Sequence, residues 1–105
     1  MTPELSLDVV AGPIRGLQVP VTTVDVTLIQ ADCVLFGWSL RETTGAAVAT
    51  VEIQDSGAPL GEIGLAASGV DTKWFGPFGI HVSGRITAHI VAGSVTGVVY
   101  VAYSN

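Results

Sequence analysis

Charge is what this chain has least of. Only 12% of its 105 residues are Asp, Glu, Lys or Arg, where soluble domains average about 25%, so part of its surface is expected to be covered by other subunits. The four basic residues, Arg15, Arg41, Lys73 and Arg85, are scattered. Recognition of phosphate needs a clustered basic footprint, so nucleic acid is not an expected partner. Cysteine is nearly missing: Cys33 stands alone, which excludes an intrachain disulfide and a zinc site built on several thiolates. It reads as a small buried strand residue. No stretch places apolar residues at helical spacing, and no helix start signal precedes one. No basic segment followed by an apolar one opens the chain, so no secretory leader is expected. The longest uncharged run, Ile86 to Asn105, contains Thr87, His89, Ser94, Thr96 and two glycines. It reads as a strand pair rather than a membrane span.

What is present is short alternation between glycine-rich turns. With 49% hydrophobic residues, the chain can bury one core without crosslinks. Leu5, Leu7 and Val9 alternate with Glu4, Ser6 and Asp8, which predicts an N-terminal strand or arm over 1–20. Ala11-Gly12-Pro13, Gly16 and Pro20 make the rest of that segment a loose entry, fixed by docking on a partner. The sandwich domain is then expected over 21–105. Its first strand puts Val24, Val26 and Leu28 on one side. In the next, over 33–42, Val34, Phe36, Trp38 and Leu40 share one face, and Trp38 reads as core. Ala49, Val51 and Ile53 alternate up to the turn Asp55-Ser56-Gly57-Ala58-Pro59, so this strand is expected to form a hairpin with 33–42. Ile63 and Leu65 mark a short strand. The final pair, 85–91 and 94–103, is expected to close through Ala92-Gly93, with Ile86 opposite Val99 and Ile90 opposite Val95. Seven or eight such strands predict an all-β chain, a single antiparallel β-sandwich, jelly-roll-like where connections cross between sheets.

Chemistry is not expected. His81 and His89 have no metal-binding spacing between them. There is no nucleophile elbow, and Gly76-Pro77-Phe78-Gly79 lacks the lysine and helix of a phosphate loop. Among Asp32, Glu42, Glu52 and Glu62 nothing singles out a catalytic pair. The expectation is a non-enzyme with no cofactor and no metal.

Two stretches read as contact surfaces. Asp71 to Val82 gathers Trp74, Phe75 and Phe78 around Gly76, Pro77 and Gly79, which predicts an aromatic turn that plugs the end of the sandwich and faces partly outward. Val98 to Tyr103 has strong β propensity, no charge and no proline, so it must lie within a sheet or under a neighbouring subunit, with Val98 and Tyr100 outward. The candidate partner-binding residues are therefore Leu5, Leu7, Val9, Trp74, Phe75, Phe78, Val98 and Tyr100.

The runs Asp32 to Thr43, Trp74 to Ile80 and Val91 to Tyr100 give the chain a resemblance to small virion structural proteins of tailed bacteriophages, particularly those infecting actinobacteria. The resemblance covers about residues 32–103 and leaves the first 20 or so unmatched. It implies a β-rich, oligomeric virion component of the decoration or minor capsid type, with no catalytic residues to carry over. The leading expectation is a protein that decorates or stabilises the capsid, assembled in the host cytoplasm and located in the virion. It would bind the major capsid protein or other virion subunits and form a homo-oligomer, trimer or dimer. One alternative is a carbohydrate-recognition module of a tail or fibre using Trp74, Phe75, Asp71 and His81; another is a tail or neck structural component.

Overall fold

The computed structural model describes residues 13–103, and among them it has nine β-strands and no helix. The stripe of Leu5, Leu7 and Val9 lies outside the described residues. The architecture is easiest to follow from its tightest turn. Ser56 and Gly57 both have positive φ, 52° and 94°, which is the backbone of a two-residue primed turn whose twist matches that of the flanking strands. It joins β4 (Ala49–Asp55) to β5 (Ala58–Leu65), with Val51 opposite Ile63.

Moving outward from this tip, strands pair in nested fashion. β3 (Cys33–Glu42) pairs with β6 (Val70–Trp74), β2 (Val26–Ile29) with β8 (Ile86–Ala92), and β1 (Ile14–Thr22) with β9 (Val95–Ala102). The long double ribbon then rolls up, so that β9 also pairs with β3 and β8 with β4. Two antiparallel sheets result, one ordered β1-β9-β3-β6 with the short β7 (Ile80–Val82) added on β3, the other ordered β2-β8-β4-β5. This is the jelly-roll arrangement of a β-sandwich. Between the sheets lies one core, in which Leu35, Leu40, Val51, Ile53, Ile86 and Val99 are almost fully buried.

The roll overturns two expected hairpins. β3 and β4 belong to different sheets, and so do β8 and β9. Alternation identified the inward residues correctly: Ile86, Ala88 and Ile90 are buried on β8, and Val95, Val99 and Val101 on β9. A strand beside its neighbour and a strand across the core from it present the same apolar pattern, so period alone cannot separate them. The crossing is made at Gly93, whose φ is 83° and which lies so close to β4 that a β-carbon there would meet Ala49 Cβ and the Val48 carbonyl oxygen, each at 2.7 Å.

The expected loose entry segment is instead a nine-residue edge strand, since 14–22 form β1. Pro20 is tolerated because β1 is paired on one side only and because the register shifts between Val19 and Thr22, where a missing N–H leaves no ladder bond unmade. The Thr96 hydroxyl donates to the Val19 carbonyl at 2.7 Å across this irregularity. The strand expected from Val21 is also divided. Thr22 Oγ1 accepts from Val24 N–H at 3.0 Å and donates to Val24 O at 2.7 Å, turning the chain from one sheet to the other before β2 begins. The aromatic stretch in turn is partly strand, because Asp71–Trp74 belong to β6 and Ile80–Val82 form β7.

Candidate protein-binding face

The central strand β3 changes face partway along. Opposite β9 its register shifts between Leu35 and Gly37, so one extra residue is accommodated as a bulge. Before the bulge Cys33 and Leu35 point into the core; after it Trp38 and Leu40 do. Val34 and Phe36 are thereby turned to the outer side of the five-stranded sheet, where they form a second apolar cluster with Ala102 and Tyr100. The expected single face of Val34, Phe36, Trp38 and Leu40 is thus split in two. The bulge sits where β3 exchanges one edge partner for another, β7 opposite 33–35 and β6 opposite 37–41.

Trp74, at the end of β6, covers Phe36 from outside: their rings stack with centroids 5.6 Å apart and planes at 27°. The next residue goes the other way. Phe75 donates its N–H to the Phe36 carbonyl at 2.7 Å and turns its ring inward, edge-to-face on Trp38 at 5.4 Å. The chain then returns at Gly79, where a β-carbon would lie 2.5 Å from Val34 Cγ1. Phe78 is left 80% exposed and Trp74 58% exposed.

Register places the remaining members. Ala102 is opposite both Val34 and Ile14, Tyr100 opposite Gly16, and Val98 opposite both Gln18 and Ser39. Directly paired residues project to the same side, so Ile14, Val98, Tyr100, Trp74 and, opposite Arg41, Val70 share one outer face. Val98 and Tyr100 are half-buried on β9, a central strand between β1 and β3. Of the expected contact residues, Trp74, Val98 and Tyr100 share this face, Phe78 stands exposed in the turn between β6 and β7, and Phe75 serves the core.

The electrostatics of the two outer faces differ sharply. On the four-stranded sheet Glu52 is opposite both Glu62 and His89, and His89 is bonded to Asp25 at 2.9 Å. On the five-stranded sheet none of the described residues paired on the outer face is a carboxylate. Glu42 and Asp71 point inward from it, and Asp32 and Asp55 sit in or beside turns. Among those paired residues the one full charge is Arg41. The chain as a whole has a formal charge of -5, so this face is neutral ground on an acidic molecule.

The four residues expected for a sugar site do not converge. Trp74 and His81, the latter opposite Val34, lie outside, whereas Asp71 and Phe75 line a groove of about 370 Å³ between β5 and β6 with Trp38, Gly61, Glu62 and Lys73. Asp71 Oδ2 there accepts the Trp38 indole N–H at 2.9 Å, and Lys73 Nζ lies 5.6 Å from the Phe75 ring centre.

Sequence reasoning missed the role of Glu42. This carboxylate is 3% exposed and accepts the backbone N–H groups of Ser68 at 2.9 Å, Thr44 at 2.8 Å and Gly45 at 2.7 Å, together with the Thr44 hydroxyl. Those donors, the Ser68 amide first, hold its pKa down at about 2 against the opposing effect of burial. The available signal was Glu42-Thr43-Thr44-Gly45, an acid leading into a turn whose amides need acceptors. Cys33 is fully buried, and burial, with Asp55 and Asp32 nearby, pushes its thiol up to about 11. No group of three His, Cys, Asp or Glu side chains suited to a metal occurs among the described residues.

Comparison with protein-family models, with curated proteins and with solved structures gave no match. The strand order therefore establishes the fold class by itself, an antiparallel jelly-roll sandwich.

Proposed function

We propose that this chain is a structural component of a tailed-phage virion that decorates or stabilises the capsid. The observation that carries the reading is the outer face of the five-stranded sheet, where Ile14, Val70, Trp74, Val98 and Tyr100 stand among neutral polar side chains such as Gln18, Ser39 and Thr72, with no carboxylate among the described paired residues, on a molecule of formal charge -5. Exposed aromatic and aliphatic side chains gathered on one sparsely charged face are the usual material of protein contacts. The resemblance of segments 32–43, 74–80 and 91–100 to small virion proteins points the same way. Jelly-roll sandwiches recur in viral capsid and lectin domains, which supports the reading by analogy of fold alone. In this reading Leu5, Leu7 and Val9 of the N-terminal segment engage shell subunits, and the outer face holds copies of the chain to one another.

The test is co-sedimentation of the purified protein with shells assembled without it. Saturable binding that is lost when Leu5, Leu7 and Val9 are all replaced by Asp is the expected result. No binding to such shells, with binding to isolated tails or necks instead, would replace the capsid role with the tail or neck alternative.

A further inference from the structure

We infer that two copies of this chain meet through the outer faces of their five-stranded sheets, forming a dimer with a two-fold axis rather than a trimer. The inference rests on the self-association in the reading above and names its surface and symmetry.

Charge selects the face. Two molecules that each carry -5 repel, and the repulsion is strongest where carboxylates would be brought together and desolvated. The outer face of the four-stranded sheet, with Glu52, Glu62 and Asp25, is closed to self-contact on that ground. Among the described residues, those paired on the outer face of the five-stranded sheet include no carboxylate and one cation, Arg41, per copy.

Apolar anchors select the same face. Trp74 is 58% exposed at one end of β6, Val70 is 64% exposed at the other end, and Ile14 is 51% exposed on the opposite edge strand β1 of the same face. Trp74 is already propped on Phe36 at 5.6 Å, so little side-chain freedom remains to be lost on association. The other large exposed apolar residues, Val21, Val24, Val48, Phe78 and Val91, lie in connections or at strand ends and make no comparable surface.

Symmetry follows from there being one such surface among the described residues. A trimeric ring needs two different complementary patches per subunit, whereas a two-fold contact matches one patch with itself. A face of four strands about 4.8 Å apart and about eight residues long projects roughly 500 Å², before side-chain relief is added. That approaches the roughly 800 Å² per partner of a standard interface, and stacked sheets about 10 Å apart are a familiar packing.

Sedimentation equilibrium is the direct test, run at about 100 µM, above the micromolar limit for interfaces of this size. The expected result is a dimer that persists when salt is raised from about 0.15 M to about 1 M, since no ion pair holds it and screening only relieves repulsion. Val70→Glu, at an exposed position of the face, and Trp74→Glu are each expected to give folded monomers by circular dichroism. Thr87→Glu, on the opposite sheet, is expected to remain dimeric. A wild-type monomer, a trimer, or a Val70→Glu protein that stays dimeric would overturn the inference. Shell binding is read separately: a monomer that binds shells sinks the dimer and keeps the virion reading, and a dimer that ignores shells does the reverse.

Discussion

Asp71 Oδ2 accepts the indole N–H of Trp38 at 2.9 Å, so the edge strand β6 supplies the polar partner of the largest ring in the core. Trp38 is 3% exposed, and Asp71 is its acceptor where the ring meets the groove between β5 and β6. Removing it with Asp71→Ala strands a buried donor, at a cost of about 1–3 kcal/mol. Asp71→Asn retains an oxygen and should recover most of that loss. Urea unfolding followed by tryptophan fluorescence checks both; equal midpoints for Asp71→Ala and wild type would show that the bond contributes nothing.

Gly37 is the second sensitive point, for steric reasons. A β-carbon there would sit 2.0 Å from the Lys73 carbonyl oxygen and 3.0 Å from its carbon, so Gly37→Ala must push β6 away from β3. Overpacking of backbone against backbone is expected to destabilise by about 2 kcal/mol or more. Gly64, also in a strand, has open space where its β-carbon would be. Gly64→Ala should stay within about 0.5 kcal/mol of wild type. Chemical denaturation of the two variants side by side separates the close approach from any general effect of losing a glycine.

Gly37 also marks the limit of what was legible in the sequence. The inward stripes of β4, β8 and β9 follow from period-two alternation, because burying one face leaves no other choice. So does the burial of Trp38. The face of Val34 and Phe36 does not follow, because the bulge at 36–37 reverses the phase within a run that looks uninterrupted. A glycine inside a strand pattern was the one hint of it. The wrong hairpins have a different origin. Pairing in a jelly roll is fixed by the rolling of the whole ribbon, a long-range property, and local turn chemistry names a true hairpin only at Ser56-Gly57. The acceptor role of Glu42 required knowing that Ser68, 26 residues away, would be folded against it.

Acid should expose that role. The folded pKa of Glu42 is about 2, below its ordinary value of 4.5. A depressed carboxylate contributes stability that is fully present above the unfolded value and is lost as pH falls toward the folded one. Wild type should therefore lose stability progressively between about pH 4.5 and pH 2. Glu42→Gln should be less stable than wild type at neutral pH, with the gap closing across that same interval. Thermal unfolding of both proteins from pH 7 to pH 2 tests this, and a gap that stays constant with pH would refute it.

The pair Asp25 and His89 gives the opposite limb. His89 Nδ1 lies 2.9 Å from both Asp25 oxygens, and one of these also accepts the Ile90 N–H at 2.9 Å. The hydrogen bond that His89 donates to Asp25 raises the histidine above its ordinary 6.5, and the bonds that Asp25 accepts from His89 and then Ile90 lower the aspartate below 3.8. The histidine's contribution is complete below 6.5 and fades as pH rises through its raised value; the aspartate's is complete above 3.8 and fades in acid. The two overlap between those limits, where the link from the β1–β2 connection to β8 is strongest. Because both side chains are substantially exposed, 38% and 53%, salt should weaken the effect. A proton NMR titration of His89 is expected to give a midpoint above 6.5 in wild type and a lower one in Asp25→Asn. An unchanged midpoint in that variant would mean that Asp25 does not hold the imidazolium.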